Sequence, residues 1–215
     1  NHERLFEVLG CHLFDQGARF AVWAPNAQAV SVIGDFNGWA VDATPLRKHD
    51  TCGVWEGFVP DLGENERYKY AVTGANGRVV EKADPLGFAS ELRPNTASVS
   101  TTVVRDLPQP DYERRMAYDQ PMSIYEVHLG SWRKHEGWRF YSYDDLAEQL
   151  VDYVADLGFT HIEVMPLHEF PFDGSWGYQP TGLFCATSRL GNAGGVAQLV
   201  RRAHERGWGV LEECA

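Results

Sequence analysis

A chain of 215 residues, 44% hydrophobic and 23% charged, has the composition of a globular protein with room for one large domain or two ordinary ones. Its formal net charge of −11 argues against a polyanionic partner, because nucleic acids and anionic membrane surfaces select basic patches. Apolar runs such as Ile162 to Leu167 are far too short to cross a bilayer, and the N-terminal Asn1-His2-Glu3-Arg4 lacks the basic-then-apolar pattern of a leader. Those features suit a neutral substrate, no nucleic acid, no membrane and a cytoplasmic setting; the missing initiator Met points to sequence lost upstream.

The four cysteines (Cys11, Cys52, Cys185 and Cys214) are scattered, with neither a CxxC nor a His/Cys cluster, so reduced thiols are expected rather than a disulfide framework or a metal site. Residues 1–105 hold short runs rich in Val, Phe, Tyr, Trp and Thr, broken by Gly, Pro, Asn and Asp. Arg19–Trp23, Ala29–Gly34, Gly53–Val59 and Tyr68–Val72 are predicted strands, and Thr101–Val104 closes the set. No stretch there supports a helix of useful length, and the spacing predicts a small antiparallel, immunoglobulin-like sandwich. Residues 106–121, with three prolines and several charges, read as a linker.

Beyond it the periodicity changes. Met122–Leu129 is a predicted strand with Glu126 and His128 on one alternating face. Ser142 opens a helix with Asp145 as its capping-box partner; Leu146, Leu150, Val154 and Leu157 form one stripe, and Gly158 is the stop. Thr160–Pro166 is a second strand. A long loop over 167–193 leads to a second helix, with Val196, Leu199, Val200 and Ala203 on one face, and Trp208–Leu211 begins a third strand. Strand, helix, strand, helix, strand is a parallel α/β arrangement with too few units for a complete sheet.

Two stretches carry a family resemblance. Ala21-Val22-Trp23-Ala24-Pro25-Asn26-Ala27 and Val30 to Trp39, with Gly53-Val54-Trp55-Glu56 and Tyr68-Lys69-Tyr70, resemble the carbohydrate-binding sandwich fused ahead of branching and debranching enzymes. Tyr125 to Trp132 is similar to the first barrel strand of branching enzymes, and Phe172 to Phe184, containing Trp176-Gly177-Tyr178-Gln179-Pro180-Thr181-Gly182, sets that family apart from general α-amylases and debranchers. Ala83 to Phe88 and Arg93 to Ser98 agree with it. The resemblance implies a multidomain chain: the sandwich at 1–105, then, at 122–215, the first two to three βα units of an incomplete (β/α)8 barrel. It also implies transfer of α-1,4-glucan segments to α-1,6 branch points, the ligand being an α-glucan (glycogen or a maltooligosaccharide), with no cofactor. Such chemistry takes a nucleophile and an acid/base about 5 Å apart. The family supplies them from later barrel units, so no catalytic residue is expected here and the chain reads as an inactive fragment. A stand-alone glucan-binding module is the alternative.

By the same resemblance, Tyr178 is the ring that supports a sugar, with Trp176 and Gln179 beside it in the loop. Trp39 is a candidate glucan platform with Asn37 and Lys69 as polar neighbours, and the second tryptophan of related modules is replaced by Gly77-Arg78-Val79. A good aromatic stack contributes about 1 kcal/mol, so that loss weakens the module. Trp23 and Trp55 lie within strands and are read as core. His128 and His161 are read as hydrogen-bonded strand residues, and His168-Glu169 as neighbours facing opposite ways. Three departures stand out: Asn192-Ala193-Gly194-Gly195 is a poor helix start, Glu169-Phe170 stands where the family has a Glu-His pair, and Leu211-Glu212-Glu213-Cys214-Ala215 breaks from the family pattern.

Overall fold

The computed structural model describes residues 2–102 and 119–214, so most of the predicted linker, and part of the strand expected at 101–104, lie outside the described residues. The chain forms two compact units, Asn1–Val103 with Gly182–Cys185, and Val104–Thr181 with Ala186–Ala215.

In the first unit, strands β1 (Gly10–Phe14), β2 (Gly17–Trp23), β4 (Arg47–Lys48) and β5 (Val54–Pro60) make one sheet, and β3 (Ala29–Gly34), β6 (Arg67–Thr73), β7 (Val79–Lys82) and β8 (Ser98–Val99) make another. All pairings within both sheets are antiparallel. The alternating apolar positions of both sheets meet in one core, where Phe20, Val32, Tyr68 and Tyr70 are almost wholly buried. Two sheets over one core make the sandwich that the strand spacing predicts. Strands β1, β4 and β7 have no counterpart in the sequence-based reading: they are short, or too polar to alternate cleanly. Among the described residues of this unit the last strand is β8.

A buried carboxylate ties the second sheet together. Asp84 Oδ2 accepts from the hydroxyls of Tyr68 (2.8 Å) and Tyr70 (3.1 Å), and its Oδ1 from the Leu86 N–H (2.9 Å). Burial pushes the Asp84 carboxyl up, against the pull of those three donors. One core assignment fails. Trp55 is buried, but Trp23, the last residue of β2, is 62% exposed and donates its indole N–H to the Cys52 carbonyl. A terminal strand residue paired only with Val54 has too little sheet beyond it to cover a ring this large.

Parallel strands β9 (Ile124–Val127), β10 (His161–Val164) and β13 (Gly209–Glu212) of the second unit order as β13-β10-β9, and the short strands β11 (His168–Glu169) and β12 (Gly182–Ala186) fall between β10 and β13 in the chain. A single turn, α1 (Leu129–Trp132), follows β9, whereas the sequence suggests strand through Leu129. Helices α2 (Tyr143–Asp156) and α3 (Ala193–Glu205) connect the strands. Leu146, Leu150, Val151 and Val154 of α2 share a core with Val127, Ile162, Val164 and Leu199. Each such side chain contributes roughly 1.5–3 kcal/mol on burial.

The poor start of α3 has a packing explanation. Asn192 caps it by accepting from the Gly195 N–H. A Cβ on Gly195 would lie 2.8 Å from the Tyr143 Cβ. Glycine there lets α3 approach the first turn of α2, which offsets the roughly 1 kcal/mol that glycine costs in a helix.

The predicted capping box is present. The Ser142 hydroxyl accepts from the Asp145 N–H, and Asp145 Oδ2 accepts from the Ser142 hydroxyl (2.7 Å) and N–H (2.8 Å) and contacts His135 Nε2 (3.1 Å). The Ser142 hydroxyl, then its N–H, then His135 hold the Asp145 carboxyl down at about 2, from an ordinary 3.8. A depressed folded-state pKa gives stability that is complete above the unfolded value and disappears as pH falls through the folded one. The stability difference between wild type and Asp145→Asn, read from urea unfolding, is therefore expected to hold above about pH 4 and shrink between about pH 4 and pH 2. A difference independent of pH contradicts this.

Candidate functional site

The parts of the 167–193 loop that belong to the second unit, 167–181 and 186–193, are organised around Glu169, which is almost fully buried beside Arg189. Arg189 Nη1 donates to Glu169 Oε1 at 2.8 Å, and Arg189 Nε donates to Asp173 Oδ1 at 2.8 Å. The guanidinium lies 3.8 Å from the Phe170 ring centroid. Glu169 also accepts from the N–H groups of Phe170 (3.2 Å) and Ser188 (2.6 Å) and from the Thr187 hydroxyl (3.4 Å). The Tyr143 hydroxyl donates to the Thr187 carbonyl (3.0 Å), which fastens the returning end of the loop to α2. A buried carboxylate with this many donors has its charge balanced, whereas losing one partner of such a pair costs about 3–5 kcal/mol.

This frame presents the aromatic tip. Asp173–Ser175 form one 3-10 turn, after which Trp176 and Gly177 both take left-handed backbone angles, φ 56° and 95°. A Cβ at Gly177 would come within 2.5 Å of the Pro166 carbonyl oxygen, so the tip closes on the end of β10 only with glycine there. The Trp176 ring, 53% exposed, stacks on His128 with centroids 5.6 Å apart and planes 28° off parallel. Tyr178, 41% exposed, donates its hydroxyl to Glu213 Oε2 at 2.8 Å, just beyond the C-terminal end of β13. Gln179 is exposed beside it. Trp176, Tyr178 and Gln179 thus come together on one loop at the C-terminal ends of parallel strands.

Several members of this site are not singled out by the sequence. Glu169 reads there as one of a pair of strand-end neighbours, yet it is the hub; its partners Thr187, Ser188 and Arg189 are nearly twenty residues away, and no local pattern announces them. The β9–β10 register sets Glu126 opposite Glu163, on the sheet face away from α2 and α3. Glu213, read as part of an aberrant tail, is the partner of Tyr178. Half-burial, then the charge of Lys134, hold the His128 imidazole below its ordinary value.

The three candidates in the first unit fare differently. Trp39 is half-buried, with its indole N–H donating to Asp35 Oδ1 at 3.0 Å. Arg67 clamps Asp35 through Nε (2.6 Å) and Nη2 (3.1 Å), and reaches Glu91 at 3.3 Å. The ring of Trp39 is therefore fixed by its own turn. Lys69 Nζ lies 3.9 Å from Glu81. Asn37, expected as a polar neighbour for a sugar, is committed to the turn: Nδ2 donates to the Val32 carbonyl (3.0 Å) and Thr44 hydroxyl (2.9 Å), and Oδ1 accepts from the Gly34 N–H (3.0 Å). Consecutive left-handed angles at Gly38 and Trp39 make the turn tight enough to draw that amide inward. Among the described residues no group of three or more His, Cys, Asp or Glu side chains could hold a metal ion. All four cysteines are free thiols.

Hydrogen bonding to Glu213 raises the Tyr178 phenol from 10 to about 12, because the carboxylate stabilises the protonated form. Replacing Glu213→Ala is expected to bring Tyr178 back toward 10, read by NMR titration of ring-labelled tyrosine; a phenol that stays near 12 means the contact is not formed.

Comparison with known proteins gives consistent matches. Residues 8–87 match carbohydrate-binding module 48, the isoamylase N-terminal domain. The 1,4-alpha-glucan branching enzyme GlgB of Nocardia farcinica is 50% identical over 222 residues, covering 98% of this chain and 29% of its own. Those of Novosphingobium aromaticivorans and Nitrobacter winogradskyi are 47% and 49% identical, over 98% of this chain and 30% of theirs. The chain thus spans about three tenths of the length of the curated relatives it matches. Among solved structures, one described as an alpha amylase from Salmonella typhimurium aligns with a TM-score of 0.68 at 23% identity, covering 95% of this chain and 32% of that one. The catalytic module of the glycogen-degrading pneumococcal virulence factor SpuA aligns with a TM-score of 0.73 at 20% identity, covering 98% and 38%. These two share the fold. Over 98% of its length the chain is similar to the N-terminal part of 1,4-alpha-glucan branching enzymes, and residues 8–87 match the model of carbohydrate-binding module 48.

Proposed function

We propose that this chain is the glucan-holding N-terminal part of a branching enzyme, in which the sandwich and the first units of a (β/α)8 barrel bind α-glucan while later barrel units supply the chemistry. The reading rests above all on Trp176 and Tyr178, exposed rings on a frame fixed by a buried ion pair, at the strand ends where (β/α) units carry their sites. Roughly half identity to branching enzymes along the chain supports α-glucan as the substrate class. The apolar face of a pyranose stacks on such rings while its hydroxyls reach polar neighbours such as Gln179. Trp39, fixed by Asp35 and Arg67, is the corresponding platform on the sandwich, with Lys69 as its polar neighbour in this reading.

In this reading the chain alone carries no transferase activity. The acidic surface suits a neutral polysaccharide in the cytoplasm, with no nucleic-acid or membrane partner and no cofactor. No helix among the described residues is long and apolar enough to cross a membrane. A second reading, a glucan-binding module acting alone, is favoured by the family match confined to residues 8–87.

Native gels with and without glycogen, followed by iodine staining of the glucan, separate these readings. The chain is expected to be retarded by glycogen without altering the iodine spectrum, and Tyr178→Ala and Trp39→Ala are each expected to reduce retardation. Loss with Trp39→Ala alone favours the isolated module. An unretarded wild-type chain, or a shifted iodine spectrum, overturns the proposal.

A further inference from the structure

The loop frame borders an open-sided cavity that Tyr178 does not line. Its volume is about 240 Å3, and its walls include Trp176, Phe140 and Phe170 with Ser131, Lys134 and Asp173. Drug-sized ligands occupy roughly 300–1,000 Å3, so this space suits one sugar ring rather than a length of polysaccharide.

Beside a largely apolar lining that includes Leu129, Met165, Leu167 and Leu190, the cavity offers an aromatic platform and a few polar groups. One wall is the Trp176 indole, already held flat by the His128 stack, so little side-chain freedom is lost when a ring settles on it. Ser131 is placed by the same histidine: its hydroxyl contacts His128 Nδ1 at 2.8 Å and lies 3.3 Å from the His128 carbonyl. The Lys134 amine stands 4.7 Å from the Phe140 ring centroid and 5.7 Å from that of Trp138, a cation lying along the aromatic rim.

Charge decides what class of ligand enters. Arg189, the other cation of the lining, is neutralised by Glu169 and Asp173. Lys134 alone, with the Asp173 carboxylate in the same lining, leaves no cationic excess for a phosphate or carboxylate. A neutral, polyhydroxylated ring meets an aromatic wall and a mixed set of donors and acceptors. We propose that this cavity is a binding pocket for one glucosyl unit, separate from Tyr178, with the Trp176 ring as its platform and Ser131 and Lys134 as its hydroxyl partners. The proposal rests on the glucan reading of the chain.

The test is NMR titration of the purified chain with maltose, following the Trp176 indole N–H (assigned with Trp176→Phe) and the His128 ring. Both signals are expected to shift saturably, with Ser131→Ala and Lys134→Ala each weakening maltose at least about fivefold and leaving circular dichroism unchanged. Tyr178→Ala is expected to leave the Trp176 and His128 shifts in place. If Ser131→Ala and Lys134→Ala bind maltose like wild type while Tyr178→Ala or Trp39→Ala loses it, the pocket is refuted and the glucan reading stands. If wild type shows no saturable shift with maltose and no retardation by glycogen, the glucan reading falls and takes the pocket with it. Equal shifts with inorganic phosphate, competed by maltose only weakly, also overturn the assignment, because the pocket would then select charge.

Discussion

The buried pair of Glu169 and Arg189 is the constraint from which the second unit's functional geometry follows. A carboxylate taken out of water is tolerated only when its lone pairs are answered, and here a guanidinium, two backbone N–H groups and a hydroxyl answer them. These donors come from Phe170 at one end of the loop and from Thr187, Ser188 and Arg189 at the other. The pairing therefore sets where both ends lie. Arg189 extends the constraint outward: its Nε–H holds Asp173, the first residue of the turn that carries Trp176.

Around that frame, electrostatics and packing divide the unit into two faces. Val127, Ile162 and Val164 face α2 and α3 and exclude water. The other face carries Glu126 opposite Glu163, and beyond it Glu213 with Tyr178. Like charges placed side by side on a sheet are unfavourable unless solvent or a cation answers them. A concentration of carboxylates at this position suits a surface that is hydrated or later covered, and the aromatic rings stand at its margin. The proposed glucan-holding role uses this arrangement: rings for the pyranose faces, polar groups for the hydroxyls, and a chain whose acidity does not repel a neutral polymer.

How much of this could be read from the residues depended on how local the cause was. The capping box at Ser142 and Asp145 and the strands Ala29–Gly34 and His161–Val164 are set by neighbours within a few positions, and they stand where the sequence puts them. Asn37 looked available to a ligand because its own tight turn, which takes up its whole amide, is invisible without the backbone angles of Gly38 and Trp39. Gly195 looked like a flaw in a helix because the reason for it, the Tyr143 side chain, is on another helix. Glu169 is the residue whose role the sequence conceals most. Its role depends on Arg189, twenty residues on, and a single sequence carries no mark of that pairing. Strand membership alone assigns Trp23 to the core, and its position at the strand's last residue leaves it exposed.

Amide hydrogen exchange of the unmodified chain tests the organising role of this pair most directly, at the N–H groups of Phe170 and Ser188 that point to Glu169. If the pair fixes the loop, both are expected to be protected to within about tenfold of the amides of β10. Exchange of both at the rate of an open surface loop, with β10 still protected, would show that the ion pair does not hold the frame.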